Sequence, residues 1–180
     1  MHLHAQSGSV GIRRFQPDDA PLLFAAIRES IVELCQWMYW CHPDYSLKDT
    51  EDFISLSNAG WEKRQQYDFA IVDPKDATLL GAVGLNQINR IHNFANLGYW
   101  VRSNRTRQGI APAATRLVAQ FGLQELRFTR LEIVAAVGNT LSQRVAEKAG
   151  AKREGVLRNG LRQNGNPYDA IMYSLIPDDL

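Results

Sequence analysis

The chain has 180 residues, 45% of them apolar, which is enough to bury one sizeable core and too few for a second independent domain. Twenty basic residues oppose nineteen acidic ones, a net charge of +1, so the strong field of a dedicated nucleic-acid binder is excluded and no DNA partner is expected. No stretch approaches the ~20 continuous apolar residues of a membrane-spanning helix, and Met1 to Gly11 lacks a signal-peptide run, so the chain reads as cytoplasmic with Cys35 and Cys41 as reduced thiols.

A single domain is expected over residues 1–180, its first nine residues forming a short mobile segment. Val10 to Phe15 reads as the first strand. Asp18 offers an N-cap with Pro21 in the first turn, and the following helix, to about Glu29, carries Leu22, Leu23, Ala26 and Ile27 inward. Ile31 to Trp40 is a second helical piece, closed by Cys41-His42-Pro43 because a proline disfavours helix in the residue before it. Ser46-Leu47-Lys48-Asp49 has the form of a helix start, and the helix from Leu47 to about Gln65 has Phe53, Ile54, Leu56 and Trp61 as buried candidates.

The period then changes from helical to alternating. Tyr67 to Asp73, Thr78 to Asn89 and Ala95 to Val101 read as three strands joined by turns. Gly81 and Gly84 within the second suggest a bulge or a close backbone approach. In the third, Leu97, Tyr99 and Val101 share one side and Trp100 takes the other. Ala111 to Arg127 is helical, and Arg130 to Val137 is an apolar strand of the kind buried on both faces. Asn139 to Ala149 is a helix with Leu141, Val145 and Ala149 inward and Gly150 as its C-terminal cap. Two strands, Arg153 to Arg158 and Tyr168 to Ile176, finish the chain. The order predicts an α/β fold, a mixed sheet of about seven strands with helices on its faces.

Arg102 to Ala111 is the segment richest in chemistry. A strand runs into a short polar loop and then into a helix that begins at Gly109 and Ala111. Unpaired backbone N–H groups at a helix start, with the positive end of its dipole, make an anion site. Gly109 and Ala111 remove side-chain bulk, and Arg105 and Arg107 add charge suited to phosphates. The same features also fit an ordinary helix start beside solvated arginines. Asn139 and Ser142 likewise fit either a capped helix start or a functional pair.

Together, Tyr99 to Ala111 and Asn139 to Ala151 resemble the GNAT acetyltransferase superfamily, and within it the RimJ/RimL-like ribosomal-protein N-terminal acetyltransferases. Ile12 to Ala20, and Tyr168-Asp169 followed by Met172 to Leu175, extend the resemblance over almost the whole chain. It implies a mostly antiparallel, twisted sheet splayed between its fourth and fifth strands. It also implies acetyl transfer from acetyl-CoA to a primary amine, most readily a protein N-terminal α-amino group, by direct attack. Cofactor contacts are implied for Tyr99, Trp100, Val101, Arg105, Thr106, Arg107, Gln108, Gly109, Ile110, Ala111 and Asn139. Ser142 is implied as the catalytic acid that protonates the departing thiolate. Self-association as a homodimer is common in the family.

Three positions depart from the family pattern: Thr106 stands where Arg or Gln is usual, Arg107 where a small residue is common, and Asn96 where many relatives have a glutamate. The last leaves the general base unassigned, with Tyr168 and Asp169 as candidates. Trp37, Tyr39, Trp40 and His42, together with Glu29, Glu33 and Glu51, are candidates for an acceptor pocket, equally explained as core or solvated face. His2, His4 and His92 form no metal cluster in sequence. A polyamine or aminoglycoside acceptor, or a non-catalytic acyl-CoA sensor on the same scaffold, are the alternatives. An ATP-binding loop is disfavoured because no Gly-Lys-Ser/Thr follows the glycine.

Overall fold

The first ordered turn is set by charge rather than by apolar pattern. Strand β2 (Gly11–Arg14) is followed by a short 3-10 turn, and helix α1 (Ala20–Glu29) begins one residue later than Asp18 would place it. The reason is Asp19, whose carboxylate accepts the Gln16 N–H at 2.8 Å and both guanidinium nitrogens of Arg13 at 2.6 and 2.7 Å. This computed structural model describes residues 2–4 (backbone only), 10–163 and 165–180.

Helices α2 (Ile31–Trp37) and α3 (Leu47–Glu62) follow. The first stops three residues short of Trp40, ahead of Pro43. The second starts at Ser46, where a capping box with Asp49 satisfies two backbone donors. Leu23, Ala26, Ile27 and Ile54 are buried, whereas Leu22 and Leu56 are 53% and 68% exposed. Helical spacing marks a stripe but not its edges, and these two leucines lie outside it.

Strands β3 (Tyr67–Val72), β4 (Leu79–Asn89) and β5 (Phe94–Val101) form an antiparallel meander. The β3–β4 register slips between Ile71 and Val72, and a side chain at Gly81 would run into the Trp100 carbonyl, so both the bulge and the close approach are present. Helix α4 (Ile110–Gln120) continues into a π-turn over Phe121–Glu125 and returns the chain to β6 (Arg130–Ala136), parallel to β5. Such a return needs a crossover element, which α4 supplies. Helix α5 (Thr140–Ala149) and a long hairpin of β7 (Lys152–Gln163) and β8 (Asn166–Leu175) complete the fold. Leu141 is 54% exposed, because the buried face of α5 runs through Ala146 and Ala149.

The strand order is β1-β2-β3-β4-β5-β6-β8-β7, antiparallel except for β5–β6. The eighth strand, against an expectation of about seven, is β1 (His2–His4), which pairs with Gly11–Arg13. The rest of the segment expected to be mobile, Met1 and residues 5–9, lies outside the described residues. One core lies under α4 and α5 and includes Phe69, Leu85, Leu97, Val118, Leu131 and Tyr173; the other lies under α1 to α3 and includes Phe15, Leu23, Ile54 and Ala82. The sheet thus has helices on both faces, as the α/β order requires. Cys35 and Cys41 are free thiols.

Candidate active site

The parallel pairing that closes the sheet is short. Phe94, Ala95 and Asn96 pair with Arg130, Leu131 and Glu132, and the pairing ends there. Beyond it, β5 stays on β4 up to Val101, while β6 follows β8 up to Ala136. The sheet therefore forks, and the edge of β5 from Leu97 to Val101 presents backbone groups with no strand partner on that side. An extended, amide-bearing chain can add to such an edge.

Tyr99 bridges the fork. Its hydroxyl donates to the Ser142 carbonyl at 2.8 Å and lies 3.1 Å from Ser142 Oγ. A phenol has one proton, and here it goes to the carbonyl, so Ser142 Oγ–H donates to Tyr99 Oη. Burial pushes the Tyr99 phenol up to about 12, partly offset by the Ser142 hydrogen bond, so the group stays neutral. Asn139 caps α5, its side chain accepting the Ser142 N–H at 3.1 Å. Gln143 Nε2 fastens the same turn to the end of β6 through the carbonyls of Ala136 and Val137. Asn139, Ser142 and Tyr99 thus form one bonded group at the mouth of the fork.

The loop between β5 and α4 lies at the far end of that edge. Gly109 is the N-cap of α4, at φ 79°, a left-handed conformation that favours glycine. A Cβ there would meet nothing within 4 Å, so the corner is open. The N–H groups of Gly109, Ile110 and Ala111 have no acceptor among the described residues, and Pro112 has no N–H to satisfy. Three free donors therefore point out of the first turn of a helix, the arrangement that binds phosphate.

The loop is anchored from behind. Ser103 N–H donates to Ser30 Oγ at 3.0 Å, and Ser30 Oγ in turn donates to the Ala26 carbonyl at 2.9 Å. Arg102 pairs with Glu29 and reaches the Leu79 carbonyl at 3.3 Å. Glu29 is held below the usual carboxylate range by the Arg102 hydrogen bond. The three arginines of this stretch therefore divide, with Arg102 neutralised against α1 and Arg107 exposed on the loop. Arg105 lies near enough to Glu29 and Asp76 to lower both carboxyls. Thr106 Oγ1 donates to the Ser103 carbonyl at 3.1 Å, and Gln108 is exposed. The Trp100 side chain packs on the α1–α3 side, 6.4 Å from Trp40, and Ile110 is buried, so both can offer only backbone to the fork.

Other sequence candidates fall elsewhere. Asp169 Oδ1 accepts the Asn159 N–H at 2.8 Å inside the irregular stretch of β7, a structural task, and Tyr168 is exposed in the same hairpin. Glu29 is spent on Arg102, and Glu33 and Glu51 are exposed. Trp37 comes within 3.4 Å of a Gly138 Cβ position, beside the fork, while Tyr39 is 82% exposed. Asn96 Nδ2 donates to Asn86 Oδ1 at 2.9 Å, filling the position where the glutamate of relatives is expected. The sequence reading missed the side-chain role of Tyr99 and the Ser30–Glu29 anchor, because both join residues far apart in the chain.

Comparisons with known proteins agree with this geometry. The family profile described as "Acetyltransferase (GNAT) domain" matches residues 9–152. The chain is 31% identical over 170 residues to YdaF of Bacillus subtilis, assigned by its name, provisionally, to ribosomal N-acetylation, covering 93% of this chain and 91% of that one. A solved Vibrio cholerae structure, described with the same reserve as a ribosomal-protein-serine acetyltransferase, superposes with a TM-score of 0.85 at 33% identity, covering 98% of each chain. RimL, the L7/L12 α-N-protein acetyltransferase solved with coenzyme A, shares the fold with a TM-score of 0.90 over 100% of both chains at 20% identity. The fork, the open helix start and these matches together place the chain in the GNAT acetyltransferase family, as an acetyl-CoA-dependent N-acetyltransferase.

Proposed function

We propose that the chain acetylates a protein N-terminal α-amino group. The observation that carries the acyl-CoA half of the reading is the trio of unbonded N–H groups at Gly109, Ile110 and Ala111, standing where the free edge of β5 ends. A diphosphate fits those donors, with Arg105, Thr106, Arg107 and Gln108 lining its approach. A pantetheine arm fits the backbone edge at Tyr99, Trp100 and Val101, and Asn139 stands beside it at the start of α5. Acetyl-CoA supplies an activated acyl group; the chain supplies position and a proton donor.

Ser142 is the proton donor in this reading, its hydroxyl held by Tyr99 at 3.1 Å until a departing thiolate needs the proton. A backbone N–H of Trp100 or Val101 stabilises the negative charge that develops on the acyl oxygen. Relatives named for ribosomal-protein acetylation support the choice of acceptor. A cytoplasmic location, one domain over residues 1–180 and a homodimer complete the proposal. No helix among the described residues is long and apolar enough to cross a membrane.

Thiol release from acetyl-CoA, measured against a panel of free N-terminal peptides, polyamines and aminoglycosides, tests the reading. Turnover confined to peptides is the expected result. Preference for a polyamine or aminoglycoside replaces the acceptor, and binding of acetyl-CoA without turnover of any amine favours a sensor.

A further inference from the structure

One row of residues crosses the sheet on the α1–α3 face. Asp68 of β3 is the register partner of Gly84 on β4, and Gly84 is the partner of Gly98 on β5. With no side chain at Gly84, the Asp68 carboxylate lies over β4: a Cβ at Gly84 would fall 2.5 Å from Asp68 Oδ1. Gly98, next in the row, has no atom nearer to its Cβ position than the Asn86 and Asn96 amide nitrogens, both at 3.9 Å. The free edge of β5 opens at this level, since its pairing with β6 ends at Asn96. Gly84 and Gly98 therefore put no side chain at the two row positions between the carboxylate and the fork.

The groups facing Asp68 come from three elements. Gln66, just ahead of β3, donates from Nε2 to Oδ2 at 2.9 Å. Ser57 of α3 faces the carboxylate and, with Gln66, acts to lower it. Gly84 of β4 contributes no side chain. Both cations of the neighbouring strand β2 are committed, Arg13 to Asp19 and Arg14 to Asn58 and Glu62. Burial without a compensating cation pushes the Asp68 carboxyl up to about 6. Glu132, on the same side of the fork, is instead paired with Arg130 at 2.8 Å.

We propose, on the basis of the acyl-transfer reading above, that Asp68 receives the proton of the acceptor's ammonium through water lying over the positions left without side chains by Gly84 and Gly98. The ammonium gives one proton to that water, which passes one to the carboxylate, and becomes an amine. The amine nitrogen then bonds to the acyl carbon as the carbon–sulfur bond breaks. The nitrogen's second proton passes to the thiolate through Ser142, and Asp68 releases its proton to solvent. Asp68 does the work that the residue at Asn96 cannot, because an amide is not a base.

The test uses the full chain, acetyl-CoA and the N-terminal peptide the wild type turns over fastest. Asp68→Asn keeps the size and the contact with Gln66. It is expected to lower kcat/KM roughly 100-fold or more, to remove the acidic limb of the pH profile, and to leave acetyl-CoA affinity by calorimetry within roughly threefold. Turnover of Asp68→Asn within roughly threefold of wild type, with the limb intact, overturns the Asp68 assignment alone. So does a loss of turnover that only tracks a fall in melting temperature, since that is the signature of a brace under α3. A wild-type chain that binds acetyl-CoA but turns over no peptide overturns the acceptor reading, and this proposal with it.

Discussion

Tyr99 and Ser142 lie 43 positions apart in the chain and are joined by two contacts across the fork, from the phenol to the serine carbonyl at 2.8 Å and to its hydroxyl at 3.1 Å. The bridge fixes the start of α5 against the strand whose edge is free. It also fixes where the serine hydroxyl points.

Tyr99→Phe removes both contacts and leaves the Ser142 carbonyl without its donor. An unfolding free energy lowered by about 1–2 kcal/mol is expected. The rate should fall roughly tenfold while KM for acetyl-CoA holds, because the backbone of β5 is unchanged. Denaturant titration with steady-state thiol release measures both; an unchanged rate removes the phenol from the site.

Ser142→Ala separates proton donation from capping. The cap uses the serine N–H and the Asn139 side chain, so it survives. Turnover should fall about 100-fold with little loss of stability. Asn139→Ala, by contrast, should lower stability by about 1 kcal/mol through the lost cap. If Ser142→Ala and wild type release thiol equally fast, the serine is only a helix residue.

Gly109→Glu puts a carboxylate where the diphosphate fits and forces a left-handed backbone on a residue with a side chain. Acetyl-CoA affinity should be lost in calorimetry. Gly109→Ala isolates the backbone effect, about 1–2 kcal/mol of strain at this conformation. Undiminished affinity in Gly109→Glu takes this loop out of the account.

Asp68 also makes a stability prediction whose sign is unusual for a carboxylate. Its folded value, about 6, lies above the ordinary 3.8, so the folded state binds the proton more tightly. Stability from this group is full below about pH 4 and is lost as pH rises to about 6, a change on the order of 3 kcal/mol. Asp68→Asn should therefore be the more stable chain at neutral pH and lose its advantage in acid. Urea midpoints at the two pH values measure it; a destabilised Asn variant at neutral pH contradicts the burial argument.

The segments legible in the sequence are those governed by neighbours in the chain. The Ser46–Asp49 capping box, the Asn139 cap with Gly150 closing the same helix, and the glycine start of α4 all appear where local rules place them. Tyr99 and Trp100 on opposite sides of β5 follow from strand alternation. Sequence marks Gly109 as a helix start stripped of side-chain bulk; its left-handed backbone comes from the fold.

What only the tertiary structure decided is which polar groups have partners. Sequence gives Arg102, Arg105 and Arg107 the same charge, yet packing against α1 spends Arg102 on Glu29. It gives Asp68 and Asp169 the same chemistry, yet one is buried over Gly84 without a cation and the other is tied to the Asn159 N–H. The physical reason is range. Caps, turns and periodicity depend on residues within about four positions, whereas desolvation and hydrogen-bond pairing depend on what the folded chain brings alongside.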